Sequence, residues 1–268
     1  MSLFTDTHVH LGDPQFDADR NEVFSRAAAA GVKRIVEIAD HPDEWSRAVE
    51  IARSRPNEVR CALGLHPYYA DQFDGDFPQR LRAALAAAPE AVAIGEIGLD
   101  YSKTDIPHDV QLKAFSALVR SGMDWDVPLV VHCRDAYQDL VPILEDLCAR
   151  VPATRRFRGV IHCFTGTPDD AAACVRLGFA LGADGPITYK KNDSLREAFR
   201  RTGPDCTVLE TDCPYLPPQS SRGKRNEPLA VVEIAEKLAA IWGLSLDETA
   251  HRTSANAAAL FRWPESAI

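Results

Sequence analysis

Phe4-Thr5-Asp6-Thr7-His8-Val9-His10-Leu11-Gly12 places two histidines two positions apart on a short β-prone run near the start of the chain. Successive side chains on a strand point to opposite faces, so His8 and His10 project together while Val9 turns away. Imidazole is the commonest protein metal ligand at neutral pH, and such a pair supplies half of a tetrahedral site. A lone His-x-His is a weak signal, and the weight comes from what repeats after it.

Strand-like runs at about residues 34–38, 60–65, 91–94, 129–131, 159–161, 180–183 and 207–209 follow the first at 3–9. Between them lie segments of helical periodicity such as 109–127, 135–150 and 168–177, with Gly or Pro near most ends. Two further helices, about 228–242 and 245–261, follow a loop holding Pro214, Pro217, Pro218 and Gly223. Alternation of this kind predicts a parallel sheet with crossover helices. Its eightfold repetition, without a Gly-x-Gly-x-x-Gly fingerprint, favours a closed α/β TIM (β/α)8 barrel over an open sheet. No linker or low-complexity tract divides residues 1–268, so a single domain is expected.

A net charge of −9 argues against a protein that coats DNA nonspecifically, because such binding rests on many Lys and Arg contacts. Seven cysteines without a CxxC pair imply neither a disulfide framework nor a zinc ribbon, and a reducing cytoplasm fits best. No stretch has the length of a membrane span and no export signal is evident.

Active sites of such barrels sit at the carboxyl ends of the strands. There the sequence places His8-Val9-His10, Gly64-Leu65-His66-Pro67, Gly95-Glu96-Ile97-Gly98-Leu99-Asp100-Tyr101, His132-Cys133-Arg134-Asp135, His162-Cys163-Phe164-Thr165-Gly166 and Glu210-Thr211-Asp212-Cys213-Pro214. Five of the eight histidines fall at these ends, and His41, His108 and His251 are left to helices or loops. Glu96, between apolar neighbours, needs a cation to offset its burial, and Asp212 needs the same. His66 is open between direct ligation and a supporting or substrate role, and Asp6 and Asp100 between orienting a histidine and shaping a turn. Cys133, Cys163 and Cys213 follow inward-pointing residues and are expected to face outward as apolar fillers.

Four histidines and two carboxylates exceed one closed site and suit two divalent ions sharing a carboxylate. The expected arrangement is His8, His10 and Asp212 on one ion, His132 and His162 on the other, and Glu96 bridging. Asp212 would also accept the proton of the attacking water. Zinc, manganese, magnesium or cobalt would serve. Arg134, with the loop residues Arg222, Lys224 and Arg225, suggests a phosphate-bearing substrate, since guanidinium binds phosphate bidentately. Tyr68, Tyr69, Tyr101 and Phe164 lie near enough in sequence to stack a base. Asp212, Glu96, His66 and Arg134 form the expected catalytic set.

These motifs, together with Arg222-Gly223-Lys224-Arg225-Asn226-Glu227-Pro228, closely resemble the TatD family of metal-dependent deoxyribonucleases from Asp6 to about Phe261. The resemblance implies a monomeric TIM barrel with two divalent metals that hydrolyses DNA phosphodiesters, typically from single-stranded 3′ ends as a 3′ to 5′ exonuclease. The family's metal positions match His8, His10, Glu96, His132, His162 and Asp212. The chain departs from the family at Ser221, Leu118 and His108, where histidine, glutamine and a basic residue are common. A small-molecule amidohydrolase or esterase, or an aminoacyl-tRNA deacylase, is the alternative on the same metal centre.

Overall fold

The computed structural model describes residues 2–263. Its eight strands are β1 (Phe4–Val9), β2 (Val32–Ala39), β3 (Val59–Leu63), β4 (Ala91–Asp100), β5 (Leu129–Arg134), β6 (Gly159–Ile161), β7 (Phe179–Ala183) and β8 (Thr207–Leu209). They form one parallel sheet in chain order. The first and last strands meet through a parallel bridge between Val9 and Cys213, flanked by Asp212 N–H donating to His8 O (2.9 Å) and His10 N–H to Cys213 O (2.8 Å). The sheet is a TIM barrel, as the alternation predicted.

The helices follow the strands in turn: α1 (Arg20–Ala29), α2 (Pro42–Ser54), α3 (Phe77–Ala87), α4 (His108–Asp124), α5 (Tyr137–Arg150), α6 (Pro168–Arg176), α7 (Asp193–Thr202), α8 (Val231–Trp242) and α9 (Leu246–Phe261). Local chemistry marks several starts. Thr167 and Asp170 make a reciprocal capping box on α6, Ser245 caps α9, and His41 accepts from Asp43 N–H at the start of α2. Among the described residues, no helix is long and apolar enough to cross a membrane.

Two apolar layers result. Val36, Ile38, Ala62, Ala93, Val130, Val160, Ala180 and Val208 fill the barrel interior, while alternate residues such as Ile35, Val131 and Leu181 pack outward on the helices. Small and medium side chains occupy the barrel axis because opposing strands leave room for little more. The strand ends above this plug are polar, and they are left to build a site.

β4 runs well past the four residues expected of it, to Asp100, and carries Glu96 within the sheet. Gly64 lets this happen: a Cβ there would stand 2.4 Å from Gly95 C and 2.6 Å from Glu96 N.

Candidate metal centre and active site

The polar strand ends converge on one cavity of about 720 Å³, whose wall includes His10, His66, Glu96, His132, Arg134, His162 and Asp212. His8, fully buried, reaches Glu96 Oε2 through Nε2 at 3.2 Å. Nε2 of His8 and Nε2 of His10 are 3.2 Å apart, and Asp212 Oδ1 lies 3.7 Å from the first and 3.3 Å from the second. Ligands at about 2.0–2.1 Å in a tetrahedron stand about 3.4 Å from one another. These three donors therefore fit one divalent ion as they are. Asp212 presents its carboxylate from a left-handed backbone (φ 56°), a conformation aspartate tolerates better than most residues.

The other half differs in detail from the expected set. Glu96 Oε1 lies 2.6 Å from His132 Nδ1, 3.6 Å from His162 Nε2 and 3.7 Å from His66 Nε2. His66, Glu96 and His132 form one compact donor group, and His162 groups with His8 and Glu210. The ring of His162 stacks on that of His8 with centroids 3.5 Å apart. Two stacked imidazoles repel if both are charged. Burial, then His162, lowers the pKa of His8, whereas Glu96 and Glu210 overcome burial and raise that of His162.

His66 carries its own tautomer signal. Tyr68 N–H donates to its Nδ1 (3.2 Å), so in the neutral ring the proton sits on Nε2, toward Glu96. Burial, then His132, holds its pKa down at about 3, keeping it neutral. A neutral ring with Nε2–H inward is a hydrogen-bond donor, which favours the substrate role over ligation.

The two open aspartates also resolve. Asp6 accepts from Thr211 Oγ1 (2.6 Å) and Thr211 N–H (3.0 Å), clamping β1 to the chain after β8. Asp100 does both jobs suggested for it: it receives Ser102 and Lys103 N–H at 2.8 and 2.7 Å, and its Oδ2 meets His132 Nε2 at 3.2 Å.

Among the residues expected to touch substrate, Arg134 lines the cavity, and Tyr101, Arg222, Lys224 and Arg225 lie outside its wall. Tyr101 stacks on His108 at 3.6 Å and donates to Asp139 (2.8 Å). Arg222 lies over the Tyr189 ring at 4.3 Å, and Lys224 is exposed. Arg225 spends its donors on Asp19, Glu227 and Gln15 O, and its plane rests on Phe16. In the same loop, buried Asn226 donates to Thr211 O and Tyr215 O, both at 2.8 Å, and so braces the segment bearing Asp212.

The sequence profile of the family described as TatD related DNase matches residues 5–262. The chain belongs to this TatD family. A Bacillus subtilis protein named "Uncharacterized metal-dependent hydrolase YabD" is 36% identical, covering 97% of this chain and 99% of that one. The "3'-5' ssDNA/RNA exonuclease TatD" of Pantoea vagans is 34% identical, covering 96% and 98%. The crystal structure of the TatD homolog YJJV from Escherichia coli superposes with a TM-score of 0.88 at 29% identity, covering 97% and 98%. As a TatD-family member, the protein is a metal-dependent hydrolase, and the His, Asp and Glu groups above are its candidate metal-binding clusters.

Several residues of this TatD site went unassigned in the sequence. Glu210, fully buried, sets Oε1 3.1 Å from His162 Nδ1, at an angle outside hydrogen-bond geometry, and accepts from Cys163 N–H. It lies two residues before Asp212, and strand alternation alone would have pointed both the same way. Asp40 follows β2 and faces His10 Nδ1 at 3.8 Å. Glu37 takes Leu11 and Gly12 N–H at 2.8 and 2.7 Å, tethering the turn after His10. On α4, Leu118 packs in the core, but Gln111 is buried there and closes on Asp100 through both its backbone groups. Cys213 is a core filler as expected, and Cys133 packs in the core while also bordering the cavity. Cys163 is not: the chain has left β6 at Ile161, alternation no longer applies, and with φ 43° the residue borders the cavity.

Proposed function

We propose that the protein hydrolyses nucleic-acid phosphodiester bonds, removing nucleotides from single-stranded DNA 3′ ends with a pair of divalent ions. The observation that carries this reading is the convergence of His10, Glu96, His132, His162 and Asp212 on one cavity beside Arg134, with His8 buried directly behind against Glu96. His8, His10 and Asp212 would hold one ion, His132 and His162 the other, with Glu96 between them. When bound, such ions supply Lewis acidity and make water a usable nucleophile at neutral pH. Zinc, manganese, magnesium and cobalt suit the nitrogen and oxygen donors.

The chain's own groups do the rest. Arg134, at the rim, engages the phosphate through two parallel N–H bonds. Asp212 takes the proton of the attacking water as oxygen adds to phosphorus. His66, with Nε2–H turned inward, donates to the phosphate or to the departing 3′-oxygen as the P–O3′ bond breaks. The relatives named as exonucleases support the substrate class, and seven free cysteines suit a reducing, cytoplasmic compartment.

Release of mononucleotides from labelled single-stranded DNA with manganese or magnesium tests this, with Asp212→Asn as control. Asp13, Asp40, Asp43 and Glu44 line one side of the cavity, which favours a second reading, hydrolysis of a neutral or cationic amide or ester. Turnover of amides or esters without any of DNA or RNA would establish that second reading.

A further inference from the structure

We infer that Tyr68 and Tyr215 form two nucleobase platforms, one on each side of the metal cluster, that bind a single strand by its bases. The inference deepens the nucleic-acid reading above and rests on it. Among the described residues, the exposed large apolar side chains are Leu3, Tyr68, Tyr215 and Leu229, and the two tyrosines both line the cavity, 42% and 49% exposed. The other aromatic candidates are otherwise engaged. Phe164 is fully buried, Tyr69 leans on His41 at 4.7 Å, and Tyr101 is stacked on His108.

Each platform is steadied beside a residue of the site. Tyr68 makes a T-shaped contact with His66, centroids 4.3 Å apart, on the Glu96–His132 side. Tyr215 meets His10 at 5.8 Å in a T-shape on the His8–Asp212 side and donates its hydroxyl to Asp13 (3.1 Å). One ring follows β3 and the other follows β8, with β1 and β2 between them in the barrel. A strand crossing the mouth therefore offers one phosphate to the cluster and its neighbouring bases to opposite rings. Bases paired in a duplex cannot splay this way.

Charge explains why bases should carry the grip. Backbone binding draws on many cationic contacts, yet the protein has net charge −9 and its cavity wall is acidic on the β2 side. Stacking works without that charge and tolerates any base, since every base has a π-face.

Steady-state cleavage of a single-stranded oligonucleotide is compared with that of the same strand carrying abasic residues at its 3′ end. Binding is followed in parallel by quenching of 2-aminopurine at that end, with calcium in place of the catalytic ion. Tyr68→Ala and Tyr215→Ala should each raise KM roughly tenfold on the normal strand, a stack's usual worth, with kcat within about twofold because ground and transition states lose the same contact. Phe at either position should restore KM. On the abasic strand the wild type should show the raised KM, and the Ala variants no further loss. Cleavage with KM indifferent to both rings and bases would overturn the platforms and leave the nuclease standing. Quenching that needs the rings, without cleavage, would keep the platforms and remove the nuclease. Neither quenching nor cleavage by the wild type would remove both.

Discussion

His132 Nδ1 stands 2.6 Å from Glu96 Oε1, while the far nitrogen of the same ring reaches Asp100. Burial opposes charge on this imidazole, but the hydrogen bonds to Asp100 and Glu96 win and hold its pKa at about 9. His10 is likewise opposed by burial and raised by Asp40 and Asp212, to about 10. Both rings are thus protonated at pH 7 in the metal-free protein, and ligation requires them neutral. We predict that zinc or manganese binding releases protons at pH 7 and tightens as pH rises toward about 9. Calorimetric titration in two buffers of different ionisation enthalpy measures the release, and a binding heat independent of buffer would contradict the prediction.

Glu96→Ala should lower the metal content of the purified protein. The carboxylate lies against His8, His66, His132 and His162 at once, and its removal takes a donor from the centre and leaves the protonated His132 and His162 without their shared counter-charge. Elemental analysis finding two ions per chain in the variant would refute the bridge.

Glu210→Ala should weaken metal binding roughly 10–100-fold, the usual cost of losing a group that orients a ligating histidine. Glu210 faces the outer nitrogen of His162 and ties down the backbone at Cys163. Gly182→Ala should do similar harm by another route, since its Cβ would stand 2.4 Å from both Glu210 carboxylate oxygens. Competition with a chromogenic chelator reads both variants, and wild-type affinity in Glu210→Ala would show that His162 needs no such support.

Two arginines should separate binding from stability. Arg134→Ala should raise KM for DNA and flatten its salt dependence, with metal content intact, because Arg134 borders the cavity. Arg225→Ala should instead cost stability on the order of 1 kcal/mol with little change in KM, because its donors serve Asp19, Glu227 and Gln15 O. Thermal denaturation beside kinetics tests the pair, and a KM effect confined to Arg225 would reverse the assignment.

The barrel was legible because strand and helix periodicities alternate cleanly, and the polar cluster at its mouth because such residues recur at one end of strand after strand. His8, Glu96 and Asp212 needed no partner information to be noticed. The pairing of Arg225 with Asp19 could not be foreseen, because the partner is remote in sequence and a basic loop looks alike whether it binds phosphate or its own fold. Glu210 and Asp40 were passed over in favour of more conspicuous neighbours, although both follow the same strand-end logic. Cys163 could not be placed by alternation once the strand had ended.

The barrel closes where Val9 meets Cys213, and the same few residues bring His8 and His10 to Asp212. That half of the centre is shared between two stretches far apart along the chain that only closure of the sheet brings together. Until the barrel has sealed, these three candidate donors do not meet, so any hydrolytic power they support arises only with the finished fold.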